Sequence, residues 1–270
     1  MAHNYVAAME RVTIRDQELA VRQDGSGPEH FVLVHGFQND ASAWQPFVDR
    51  LDLDRFTVTR FDLAGCGASS GPDTWERCTI DEYAADLLAV CDHAGGPPPV
   101  AVGHSLGGGT VLRAALDRPG AFRAMVLVAP VSTSGLDFVP PERFDTLSHP
   151  TRQQQLDLAR AAFRHPPAPC DLAALMAVIE QARPEHIEGA ARSMRDFTIA
   201  SELAALDGRV LLVCGDRDSH VPLRNHLATW RAIRRCGLQV EFDVGHIPFQ
   251  EVPDRFAAAV VRFLDGLPPA

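Results

Sequence analysis

Val100-Ala101-Val102-Gly103-His104-Ser105-Leu106-Gly107-Gly108 is the stretch on which the reading of this chain turns. Pro99 to Val102 reads as a buried strand running into Gly103, and Leu106 to Leu116 as an apolar helix with a glycine-rich first turn. Between them Gly103 to Gly107 fits G-x-S-x-G, with strand before and helix after, the context that gives the motif its meaning. The glycines have a steric purpose. A serine on so sharp a turn has a strained backbone, and side chains two residues away on either side would collide with the turn. The helix that starts here aims its free N–H groups and its dipole at the same point. Ser105 is the candidate nucleophile.

Outward from this turn, short apolar runs alternate with helical patterns. Val12 to Ile14 and Leu19 to Val21 read as two short strands. Phe31 to Val34 reads as a buried strand ending at His35-Gly36, and Val58 to Phe61 as another closing at Asp62. Ile80 to His93 has helical spacing and is stopped by Gly95-Gly96-Pro97. Met125 to Val128 is a further strand. This order predicts an α/β fold, a mostly parallel central sheet flanked by helices, with active groups at the carboxyl ends of its strands.

The pattern changes from about Val131 to Asp207, where no strand candidate occurs. Helical stretches at Thr151 to Phe163, Asp171 to Ala182 and Glu185 to Met194 are punctuated by Pro140, Pro141, Pro150, Pro166, Pro167, Pro169 and Pro184. Residues 131–206 are read as an inserted helical cap, and residues 1–130 and 207–270 as the core. The apolar stripes of the insertion need a surface to cover, and the open end of the sheet is the nearest. Strands resume at Arg209 to Cys214 and Gln239 to Val244, and a helix from Pro253 to Leu264 closes the chain.

A serine hydroxyl is a poor nucleophile at neutral pH and needs a base. Of eleven histidines, His246 lies just past the last predicted strand, on a loop opened by Gly245. The base in turn needs a carboxylate to orient it. Two follow the penultimate strand: Asp218, deeper in the turn and four residues before Pro222, and Asp216, better placed to serve the turn or pair with Arg217. Asp218 is the expected partner. The oxyanion of a tetrahedral intermediate needs donors, expected from the backbone N–H groups of Leu106 and Phe37, with Gly36 allowing close approach. Trp44, Phe37, Phe138, Met194 and Phe197 are candidates to line a substrate pocket. His104 is expected to pack under the turn, His35 to support the oxyanion loop, and His220 and His226 to lie on the surface beyond Asp218.

Composition narrows the classes. With 270 residues the chain can bury a large α/β core plus an insertion. A net charge of −10 argues against non-specific binding to nucleic acid or anionic membrane. Six scattered cysteines with no C-x-x-C pair favour reduced thiols and a cytoplasmic protein over a disulfide framework or a metal site. Met1 to Arg11 lacks the pattern of a secretory leader, and no apolar stretch has the length to span a bilayer.

Together, Val34-His35-Gly36-Phe37, the run from Asp62 to Ser69, Gly103 to Gly108, Gly215 to Pro222 and Gly245-His246 span nearly the whole chain, and in this order it resembles the α/β-hydrolase superfamily. Cys66 departs from the pattern, since many relatives carry histidine or a bulkier residue there. The resemblance implies a serine esterase or lactonase branch: hydrolysis of an ester, lactone or thioester of a small, largely apolar molecule through an acyl-enzyme. That chemistry takes a small-molecule substrate and requires no metal or organic cofactor. Serine as nucleophile disfavours the haloalkane dehalogenase and epoxide hydrolase branches, which use aspartate. Relatives that cleave carbon–carbon bonds with the same triad, and non-hydrolytic receptors, lyases and oxygenases, stay open as alternatives. Nothing in the pattern sets the oligomeric state.

Overall fold

The computed structural model describes residues 9–267, so the first eight residues, which hold most of the segment read for a leader pattern, lie outside the described residues. Among the described residues eight strands form one sheet: β1 (Glu10–Ile14), β2 (Gln17–Asp24), β3 (Glu29–Val34), β4 (Phe56–Phe61), β5 (Val100–His104), β6 (Ala124–Val128), β7 (Arg209–Gly215) and β8 (Cys236–Glu241). Their spatial order is β1-β2-β4-β3-β5-β6-β7-β8. The β2 strand pairs antiparallel with β1 and β4, and every other pairing is parallel. Ten helices occur among the described residues: α1 (Gln45–Val48), α2 (Ile80–Ala94), α3 (Leu106–Asp117), α4 (Pro141–Ser148), α5 (Arg152–Ala161), α6 (Pro169–Ile179), α7 (Pro184–Asp196), α8 (Leu223–Ala232), α9 (Pro248–Glu251) and α10 (Pro253–Asp265).

The central strands β5 and β6 are buried at every position, as parallel strands covered on both faces must be. Two apolar clusters flank the sheet. One holds Tyr83, Leu87, Val111 and Leu112 of α2 and α3. The other holds Phe47, Phe249, Phe256 and Val260 of α1, α9 and α10. Helix α2 starts where the Thr79 hydroxyl accepts the Glu82 N–H and stops at Gly95, whose φ of 67° is the left-handed region that favours glycine. Buried within β4, the Arg60 guanidinium is paired by its Nε to Asp24 at 2.9 Å.

The structure departs from the sequence-based expectation in its last strand, in several helices and in the placement of Trp44. The last strand spans Cys236–Glu241, three residues earlier than Gln239 to Val244, because β7 pairs from Val210 with Cys236 to Gly215 with Glu241. Beyond it the chain turns: Asp243 has φ 59°, and its amide is held by Asp216 Oδ1 at 2.6 Å. Helix α8, between β7 and β8, helix α4, ahead of the three expected in the insertion, and the short helices α1 and α9 are additions to the expected elements. Trp44 does not face a pocket. It is fully buried, with its ring stacked on Phe249 at 4.2 Å, because the chain after β3 turns it into the core over α9 and α10. No helix among the described residues is long and apolar enough to cross a membrane.

Candidate active site

Ser105 occupies the junction between β5 and α3 with φ 51° and ψ −113°, a conformation costly for a residue with a side chain. The junction is held from all sides. The Ser105 amide donates to Val128 O at 3.0 Å, and its carbonyl accepts from Gly108, Gly109 and Val131. A side chain at Gly107 would run into the Val34 and His35 carbonyls, and one at Gly103 into the Gly107 carbonyl. Both positions admit glycine alone, which is the physical content of the motif.

His246 follows β8 on a loop clamped at several points. Its amide donates to Ala162 O at 2.7 Å, and the Gly245 amide to Glu251 Oε1 at 2.7 Å. The buried His104 donates Nε2–H to the His246 carbonyl at 3.1 Å, so it braces this loop from under the serine turn. Burial, followed by the charge of His246, holds the His104 imidazole well below its ordinary value. His246 Nδ1 lies 2.8 Å from Asp218 Oδ2, which directs Nε2 away from the carboxylate. Asp218 has a fully buried side chain, and its Oδ1 accepts the His220 and Val221 amides at 2.8 and 3.0 Å. Burial works to raise this carboxyl, but the His246 charge and the hydrogen bonds from His226 and His246 outweigh it and hold it well below the usual range. Asp216 instead ties the turn, accepting from Asp243 and Val244 amides and meeting Arg217 at 3.4 Å.

Ser105, His104 and His246 all line one cavity of about 790 Å³. Phe37 lines it too, on the loop that Gly36 brings against the serine: a Cβ on Gly36 would stand 3.4 Å from Ser105 Cβ. That loop is stiffened from below. The Leu63 amide donates to His35 Nε2 at 2.9 Å, so the proton sits on Nδ1, which donates to Gly36 O at 2.8 Å. Burial pushes the His35 imidazole down, consistent with that neutral form. Cys66, the departure from the resemblance, is buried in the loop after β4, and burial pushes its thiol up.

The other walls come from all four helices between β6 and β7, including Leu147, Leu158, Ile179 and Met194. Of the expected pocket side chains, Phe37 and Met194 line the cavity. Phe138 and Phe197 pack instead against the apolar cluster beneath α2 and α3, where a Cβ on Gly109 would touch Phe197 Cε1 at 3.4 Å. Trp44 belongs to the core, as described.

Three residues near the site escape sequence reasoning or are misplaced by it. His226 is fully buried, with Nε2 3.1 Å from Asp218 Oδ2, and is not a surface residue. The first turn of α8, a helix absent from the expected elements, folds it back over the loop after β7. His220 is stacked on His246, with ring centroids 4.8 Å apart and planes 12° apart, and burial brings its imidazole down to about 4. Gln38, buried with φ 51°, accepts from Gln155 Nε2 at 2.9 Å and so links the Phe37 loop to α5.

With this geometry in view, the likenesses to known proteins take on meaning. Residues 31–259 match the model of the alpha/beta hydrolase family, and the chain belongs to that family. A pyrrolizixenacetamide deacetylase of Xenorhabdus hominickii is 28% identical over 265 residues, 95% of this chain and 98% of that one. A strigolactone esterase of Pisum sativum is 35% identical over 114 residues, so the matched part spans only 40% of this chain and 41% of that protein. The crystal structure of the enol-lactonase from Burkholderia xenovorans LB400 superposes with a TM-score of 0.84 at 23% identity, covering 95% of this chain and all of the other, a likeness of fold.

Proposed function

We propose that the protein hydrolyses a carboxylic ester, lactone or thioester of a small, largely apolar molecule through an acyl-enzyme. One observation carries the reading. A histidine oriented by a buried carboxylate at 2.8 Å shares a cavity with a serine on a strained strand-to-helix turn. Ser105 Oγ attacks the carbonyl carbon as His246 Nε2 takes its proton. The Leu106 and Phe37 N–H groups hold the oxyanion, the first at the open start of α3 and the second on the loop beside it. His246 then protonates the leaving oxygen or sulfur, and the acyl group stays on Ser105. A water gives its proton to His246 and attacks the ester, and collapse returns that proton to Ser105 and releases the carboxylic acid. Asp218 keeps Nδ1–H bonded throughout, so Nε2 is always the nitrogen that exchanges protons.

Residues 131–206 act in this reading as a cap. Helices α4 to α7 supply apolar walls above Ser105, and α5 runs into the contacts that fix the His246 loop through Ala162. The cavity falls within the ~300–1,000 Å³ of small-molecule sites, which suits a short to medium acyl group rather than a polymer. The names of the relatives fit the same acyl-transfer chemistry, one an esterase, one a lactonase and one a deacetylase.

Steady-state rates on p-nitrophenyl esters of graded acyl length, together with lactones and thioesters, test the reading. Cleavage of short and medium acyl groups is expected, with kcat/KM falling at least about tenfold once the chain outgrows the cavity. Absence of hydrolysis across the whole panel would sink the proposal.

A further inference from the structure

The Asp218 carboxylate carries more hydrogen bonds than orienting one histidine requires. Oδ1 takes two backbone amides, while Oδ2 takes two imidazoles, His246 at 2.8 Å and His226 at 3.1 Å. Four donors fill the acceptor sites of an ionised carboxylate. The second imidazole has a defined tautomer. A carboxylate only accepts, so His226 Nε2 carries the proton, and Nδ1, buried without a hydrogen-bond partner among the described residues, is the bare nitrogen. Nor is its placement loose. On either side of it along α8, Asn225 Nδ2 bonds Ser132 Oγ at 3.2 Å and Thr229 Oγ1 bonds Thr133 Oγ1 at 3.1 Å, pinning the helix to the loop after β6.

We propose that His226 is a positioning residue of the catalytic site, donating Nε2–H to Asp218 and drawing off part of the negative charge that would otherwise act on His246. This rests on the assignment of Asp218 and His246 above. The other titratable groups around the cluster are His220 and Asp216 on the same loop, Cys214 on β7 and His104 at the end of β5. None of these gives a side-chain hydrogen bond to Asp218 among the described residues, so the share of charge taken by His226 has no substitute. Without that donor, the carboxylate charge concentrates on the bond to His246 and favours its protonated form. The base is then neutral only at higher pH, so the acidic limb of kcat/KM must move up.

The test is the pH profile of kcat/KM for the unaltered protein, His226→Leu and His226→Gln. In His226→Leu the acidic limb is expected to shift upward by about half a pH unit or more. In His226→Gln, whose amide can still donate, it is expected to return toward the original position. A purely packing role would lower the rate and leave the limb in place, so an unmoved limb in His226→Leu overturns the proposal. Should that variant fail to fold, nitrogen-15 NMR of the unaltered protein carries the same question: an Nε2–H imidazole at His226 supports the proposal, and an Nδ1–H imidazole overturns it. An unaltered protein that hydrolyses nothing would sink the proposed function instead, and the tautomer measurement separates the two failures.

Discussion

Ser105→Ala is expected to lower kcat/KM by at least about a thousandfold on every ester the protein cleaves, with no measurable change in fold. The loss is chemical. Without Oγ there is nothing to carry the acyl group, and only oxyanion stabilisation and binding remain to speed attack by water. The fold survives because what holds the turn is backbone. The Ser105 amide and carbonyl bonds to Val128, Gly108, Gly109 and Val131 persist in alanine, and alanine has the same Cβ to accommodate at φ 51°. The thermal unfolding midpoint should therefore match that of the unaltered protein while activity disappears. A midpoint that collapses along with activity would trace the loss to folding.

Asp218→Asn should cost about 10³–10⁴-fold in kcat, and Asp216→Asn less than about tenfold. The two carboxylates are two residues apart and do different work. If the amide oxygen introduced by Asp218→Asn keeps the His220 and Val221 amides, its NH₂ faces His226 and His246, where the carboxylate Oδ2 accepts from both rings. His246 must then turn Nδ1 into an acceptor and put its proton on Nε2, the nitrogen that has to receive one from Ser105. The Asp216→Asn side chain, by contrast, can keep its oxygen on the Asp243 and Val244 amides and loses only the 3.4 Å pairing with Arg217. Rates measured on one ester at one pH check the order. If Asp216→Asn is the more damaging, the acid has been misassigned.

What the sequence can say about this protein depends on how local each feature is. The strands around Ser105 are short apolar runs bounded by glycine or proline, and β3, β5 and β6 fall where those runs fall. The serine turn is legible because its steric demands act within five residues. The end of the β8 edge strand is not legible, because Gln239-Val240-Glu241-Phe242-Asp243-Val244 alternates in the same way whether it is paired or turning. Only the register with β7 and the side chain of Asp216 decide where it ends. Trp44 and Phe249 are distant in sequence, and nothing in either segment announces that they stack in the core. His226 is the clearest limit. Pro222 marks a helix start that is available to be read, and eight residues of separation place His226 within reach of Asp218 only once the loop and the first turn of α8 are built.

Labelling with a fluorophosphonate followed by peptide mass mapping reports whether Ser105 is the activated nucleophile of an acyl-transfer site. The phosphorus bonds to the serine oxygen as fluoride leaves, so the adduct records which hydroxyl the base activates. One adduct is expected, on the peptide containing Ser105, lost in Ser105→Ala and strongly slowed in His246→Ala. An adduct on another residue, or none under conditions where the protein is folded, would contradict it.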